Sequence, residues 1–342
     1  MVDFINNDPS LESQWRSLIL FGKNVATYKF AFARSLLDLV DDEKTIITLE
    51  ELSNPFSKHI ISHLKNHDKQ GSSPSSSFLD ACRKNIRGEI SEQELLKITT
   101  EKGFVNVIDA FQNLAGGQIE RPFYVKDYSR GSKKIIVTDE LLSLKGATQF
   151  SNFDLEVDAR WSLVETAWSI GISPNLLEVH HNENDDTLFI ETDLLKRIDI
   201  TSSRDALNGY QKGRCFYCSN DISIVSGTDD ICHIDHFLPH LHKQLHLPSN
   251  INGVWNLVLS CSTCNGAGEK GAKTPHIRFL SRLNKRNEYY ISSKHPLSET
   301  IKNQTGYATE DRIKFLNKHY QITKDNNGGS PWQPKDNPPS QL

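Results

Sequence analysis

The sequence predicts an α+β protein in two parts, mainly helical over residues 1–200 and mixed strand and helix beyond. Three observations carry that reading. Apolar residues in the first part recur at spacings of three, four and seven, as on a helix with one buried face. From about residue 119, short extended stretches alternate with turn residues. Two Cys-x-x-Cys pairs, Cys215/Cys218 and Cys261/Cys264, then follow with 42 residues between them.

The elements follow in order. SQWRSLILFGKNVATYKFAFARSLLDLV places Trp15, Leu18, Ile19, Val25, Tyr28, Phe32, Leu36 and Leu39 on one helical face, with a break near Gly22. Thr48 with Glu51, and Ser91 with Glu94, form capping-box patterns that open two further helices. Between them KQGSSPSSSF reads as an exposed, serine-rich loop. ERPFYVKD and KKIIVTDELL predict a hairpin around YSRGSK, and DLEVDARWSLVETAWSIGIS returns to helical spacing. LLEVHHNENDDTLFIET predicts a second hairpin, with His180 and His181 exposed beside its turn. A C-terminal helix is expected over residues 301–323, and the polar, Pro/Gly-rich residues 324–342 read as a disordered tail.

With 342 residues, the chain is long enough for two domains that each bury a core. Its 37% hydrophobic and 24% charged content is that of a soluble globular protein. No apolar run approaches the ~20 residues that span a bilayer. The opening MVDFINNDPSLESQW does not read as a signal peptide, so the cytoplasm is the expected location and no membrane partner is expected. A net charge of −4 argues against a protein coated in positive charge, though one local basic face suffices for a nucleic-acid partner.

The paired cysteines predict a metal site. Thiolates two residues apart in a tight turn supply two ligands of a tetrahedral zinc, and two such turns supply all four. A site closed by Cys215, Cys218, Cys261 and Cys264 leaves no position for water, so this zinc holds the fold and does no chemistry. Cys82 and Cys232 stand apart and read as buried thiols.

A structural clip does not need HIDHFLPH between its halves. On an extended strand Asp235 and His236 point to opposite faces unless the strand bends or ends, as Pro239 suggests. IDHFLP, then NLVLSCSTCN, flanked by the cysteine pairs, resembles the HNH family of ββα-metal nucleases in its zinc-stabilised branch. The resemblance spans about residues 205–290, within a domain set at 201–300. It implies a ββα-metal fold with His236 as the general base that takes a proton from water. It implies that Asp235 and Asn265 ligate a catalytic divalent cation, magnesium or manganese, and that Asn256 braces the loop carrying the histidine. Asn265 stands where the family name has a histidine, and a hard amide oxygen favours magnesium or manganese over softer-ligand metals. DNA is the implied substrate ahead of RNA. A restriction or anti-phage defence role, with residues 1–200 sensing or docking a protein partner, follows only by analogy. A non-catalytic zinc-bound nucleic-acid-binding module and an RNA-cleaving toxin remain alternatives.

Residues 261–294 carry seven positive side chains against Glu269 and Glu288, a net +5 in a negative chain. Lys270, Lys273, Arg278, Arg282, Lys285 and Arg286 are the candidate nucleic-acid contacts, with Lys294 beyond them. Arg278, Arg282, Lys285 and Arg286 recur at helical spacing, with Ile277, Leu280 and Leu283 facing the core. His233 reads as site-lining or surface, His240 as a candidate substrate contact, and His242 and His246 as loop residues.

Overall fold

The computed structural model describes residues 5–6, 8–21, 26–42, 44–73, 75–114, 117–129, 131–170, 178–191, 197–239, 251–266, 268–293, 297–328 and 330–335. The chain divides into two compact units, Pro9–Ile172 and Met1–Asp8 with Ser173–Leu342. The division therefore falls about 30 residues before the expected boundary at 200, because the strands between 180 and 202 belong with the C-terminal unit.

In the N-terminal unit, helices α1 (Leu11–Phe21), α2 (Tyr28–Leu39), α3 (Leu49–Leu64), α4 (Ser77–Ile86) and α5 (Glu92–Ile98) are followed by the short α6 (Val107–Ala110), then α7 (Asp139–Lys145) and α8 (Phe150–Ser169). The first predicted helix is two, α1 ending at Phe21 next to the expected break; Val25 lies outside the described residues. Strands β1 (Ile46–Thr48), β4 (Tyr124–Asp127) and β5 (Lys134–Val137) form a sheet in the order β1-β5-β4, and β2 (Asn113–Leu114) pairs with β3 (Gly117–Gln118). Thr48 closes a reciprocal capping box with Glu51, whereas Ser91 accepts from the Glu94 amide.

The core of this unit is aromatic. Trp15 meets Phe123 edge to face at 5.4 Å, and Phe32 meets Phe111 and Tyr124 the same way. One charged pair is built into it: Arg16 grips Glu156 through two 2.8 Å hydrogen bonds, both side chains buried. The serine-rich loop is more anchored than its composition suggests. Gln70 is buried and accepts from the Trp161 indole at 3.0 Å, and Ser76 caps α4. Cys82 is a buried thiol, pushed up to about 12 by burial.

In the C-terminal unit, β6 (His180–Asn182), β7 (Thr187–Glu191) and β8 (Arg197–Ser202) form an antiparallel sheet that runs into α9 (Ser203–Gln211). β9 (His233–His236) and β10 (Leu257–Ser260) make a separate antiparallel pair, Asp235 opposite Val258 and His236 opposite Leu257. The short α10 (Ser262–Asn265) follows β10, then α11 (Arg278–Ser292), α12 (Leu297–Thr305) and α13 (Thr309–Asn327). The expected helix over 301–323 is thus two helices. Gly306 divides them at φ +124°, where an added Cβ would lie 2.8 Å from the Asp311 Cβ.

The tail expected to be disordered from residue 324 is not so over its described length. α13 continues to Asn327, and Trp332 is buried, its amide donating to the Thr274 carbonyl and its carbonyl accepting from the His276 amide. An indole with a hydrophobic bed and backbone partners outweighs the polar composition around it. Residues 336–342 lie outside the described residues.

Candidate functional site

The first cysteine pair sits in a knuckle after α9, where Ser219 takes a left-handed φ of +61° and donates its amide to the Cys215 carbonyl. The Phe216 amide donates to the Leu259 carbonyl, tying the knuckle to β10. The second pair opens α10, with the Cys261 sulfur accepting from the Cys264 amide at 3.4 Å. All four sulfurs lie within 4.8 Å of one another, and Cys218 Sγ is 3.7 Å from Cys261 Sγ. Zinc–sulfur bonds in a tetrahedral site place sulfurs about 3.8 Å apart. The cluster is therefore able to hold a zinc ion, and among the described residues no other group of three or more Cys, His, Asp or Glu comes so close together.

β9 presents Asp235 and His236 on opposite faces, as strand alternation requires. Asp235 is buried. Tyr217, from the knuckle, donates its hydroxyl to Oδ2 at 2.6 Å, and Lys270 donates to Oδ1 at 2.8 Å and to the His236 carbonyl at 2.8 Å. Burial, with the adjacent carboxylate adding to it, raises the Tyr217 phenol well above its usual value and keeps it a donor. This arrangement fits an ion pair better than a hydrated divalent cation, because both carboxylate oxygens already have donors and little solvent reaches them. A cation seated on Asp235 has to displace the Lys270 ammonium. Asn265 ends α10, half-buried, and α10 packs against β9.

Asn256 is fully buried and clamps the turn after His236. Its Oδ1 accepts from the Leu238 amide at 2.9 Å, and its Nδ2 donates to the Leu238 and Ile251 carbonyls. Gly253, just before Asn256, leaves space that a Cβ would fill, running into the Gln304 side-chain oxygen and lying 2.7 Å from the Trp255 ring.

A second histidine joins His236. The His181 side chain is buried to 1% exposure, against the expectation that it is exposed, and its ring centroid lies 6.2 Å from that of His236. Burial pulls its imidazole below the ordinary histidine value, with Asp186, Glu183 and Asp185 opposing that shift. The sequence held a signal for this. Leu188 and Ile190 alternate inward along β7, and the hairpin pairs His181 with Leu188, putting the ring on the inner face. Its neighbour His180 pairs with Phe189 on the other. His233 is exposed, while His240, His242 and His246 lie outside the described residues.

The basic stretch divides. Lys270 is buried against Asp235 and Arg286 is buried outright, so neither is the surface cation the spacing suggested. Arg286 donates to the Leu257, Val254 and Trp255 carbonyls, of which Val254 also accepts from the Leu257 amide and Trp255 from the Asn287 side chain. Arg282 is half-buried and donates to the Phe216 and Tyr217 carbonyls of the knuckle. Helix α11 thus carries arginines at four-residue spacing from its solvent end into the core. Lys273 is exposed, and Arg278 and Lys285 are half-buried; Lys294 lies outside the described residues. Leu280 and Leu283 face the core as expected, but Ile277 is 50% exposed because it precedes the helix's first turn. Cys232 is a buried thiol at the head of β9.

No family model, curated protein or solved structure matches the chain.

Proposed function

We propose that the C-terminal unit is a nuclease that hydrolyses phosphodiester bonds, with DNA as the favoured substrate and His236 as general base. The observation that carries this reading is one compact arrangement: a four-cysteine clip, a strand ending in His236, and Asn256 clamping the turn that follows. In the reaction, a His236 ring nitrogen takes a proton from water, the water oxygen bonds to phosphorus, and the phosphorus–oxygen bond to the leaving sugar breaks. An imidazole suits this role near neutral pH. Lys273, Arg278 and Lys285 supply sequence-independent contacts to the phosphate backbone. The catalytic magnesium or manganese implied by the resemblance enters the test rather than the mechanism, because Lys270 already balances Asp235. A cytoplasmic defence effector is the setting in which such a unit, joined to a helical one, fits best.

The Lys270–Asp235 pair also favours a second reading, a zinc-bound nucleic-acid-binding module without chemistry, since a carboxylate closed by an ammonium suits a scaffold equally well. Cleavage of plasmid and single-stranded DNA and RNA decides between them, measured with magnesium, manganese or EDTA. Wild-type protein is expected to cut, and His236→Ala to lose about 100-fold or more in rate at equal zinc content. Equal cutting by both proteins removes His236 from the chemistry. Binding without cutting by either supports the module.

A further inference from the structure

The motif that suggested the site ends at β9 and α10, yet the ring nearest His236 among the aromatic contacts described comes from a hairpin more than 50 residues earlier. His181 is carried by β6, its side chain 1% exposed, with its ring plane tilted 55° from that of His236. Its Nε2 lies 3.6 Å from Asp186 Oδ1, at the hairpin turn, where Asp186 takes a left-handed φ of +56°. Asp186 is itself fixed. Its other oxygen accepts from Arg204 at 2.9 Å, its carbonyl accepts from the Ser203 amide at 2.9 Å, and Arg204 also donates to the Cys232 carbonyl, one residue before β9. The same guanidinium therefore ties the hairpin turn to the head of the strand that ends in His236.

A buried imidazole set between a carboxylate and a second imidazole is a costly core residue unless the polar atoms have a use. We propose that His181 is a positioning residue for His236: Asp186 orients the His181 ring, and His181 in turn sets the orientation of the His236 ring. This rests on the nuclease reading for its consequence, though not for its geometry. Asp186 facing Nε2 favours the tautomer with the proton on that nitrogen and leaves Nδ1 as an acceptor. Burial favours the neutral ring, the form that can accept. Among the described residues, the titratable groups that face His181 are Asp186, Glu183 and Asp185 from its own turn and His236 from β9.

Two measurements test the proposal on the full chain with its zinc bound. The first is steady-state DNA cleavage by wild type, His181→Ala, His181→Gln and Asp186→Asn, with His180→Ala as the control on the opposite face. His181→Ala is expected to lower kcat by about ten- to a hundred-fold while DNA affinity stays the same. His181→Gln should recover part of that loss, and Asp186→Asn should show a smaller drop. The second is the pair of ring ¹⁵N shifts of His236 at one fixed pH, which report the nitrogen that carries its proton. These are expected to change in His181→Ala and His181→Gln and to stay put in His180→Ala. Wild-type kcat in His181→Ala, or an unchanged His236 ¹⁵N pattern in His181→Gln, overturns the proposal. If wild-type protein cuts no nucleic acid, the nuclease reading fails, and the ¹⁵N arm alone then decides whether the two rings are coupled. Should His181→Ala not fold, the glutamine variant carries both arms.

Discussion

Lys270 and Asp235 meet away from water, and that alone sets what each can be exchanged for. A buried pair loses little when both members become apolar and a great deal when one is removed, because the survivor keeps its charge without a partner. Lys270→Met should therefore destabilise the protein by about 3–5 kcal/mol, read from urea unfolding of the zinc-loaded chain, and Asp235→Asn in the same chain should recover much of it. An unaltered midpoint in Lys270→Met shows that the pair opens readily, which in turn makes room for a cation on the carboxylate. At this scale the sequence was half legible. Asp235, His236 and Asn256 stood out by their order and spacing, and Asn256 does hold the Leu238 backbone. The donors on Asp235 did not stand out, because Tyr217 sits in the knuckle 18 residues before it and Lys270 35 residues after, and no local pattern links them.

Helix α11 shows why charge spacing misled. Arg278, Arg282 and Arg286 fall on one face, which reads as a solvated stripe, but the face turns progressively inward toward carbonyls of the knuckle and of residues 254–257. A guanidinium can serve several carbonyls at once while its stem packs among apolar side chains, so burial is no bar to arginine when the backbone supplies acceptors. Two kinds of variant separate the roles. Arg286→Ala should lower stability by about 2–5 kcal/mol, since the Leu257, Val254 and Trp255 carbonyls each lose a buried donor. Arg278→Ala and Lys273→Ala should leave the melting temperature nearly unchanged. Each should instead reduce the salt dependence of DNA binding by about one unit of slope in log Kd against log salt, measured by fluorescence anisotropy. The β6–β7 hairpin was readable as a hairpin from its turn residues. The face on which His181 lies needed the strand register as well.

Across the whole molecule, the two-part division was visible as a change of texture, but the boundary was not. The hairpin strands near 180–202 follow a helical stretch and resemble the earlier hairpin at 124–137, so nothing local assigns them to the second unit. The tail was misread for a related reason: composition describes an average, and one tryptophan with a prepared bed outweighs its polar neighbours. The four-cysteine cluster joins the knuckle after α9 to the start of α10, so a metal held there closes a loop that contains β9 and β10. Chelation should release one zinc per chain and lower the melting temperature of the protein, as should Cys264→Ser; retention of the full melting temperature after metal loss would make the cluster ornamental.

Trp332 adds a consequence of another kind. Its ring stands edge-on to Tyr217 at 5.2 Å, its indole donates to Glu269 at 3.2 Å, and Tyr217 in turn holds Asp235. The chain thus carries its own optical reporter one residue removed from the buried pair. With the other four tryptophans replaced by phenylalanine, the emission of this single indole would follow, in real time, whether Tyr217 and Asp235 keep their places as zinc, a cation or nucleic acid arrives.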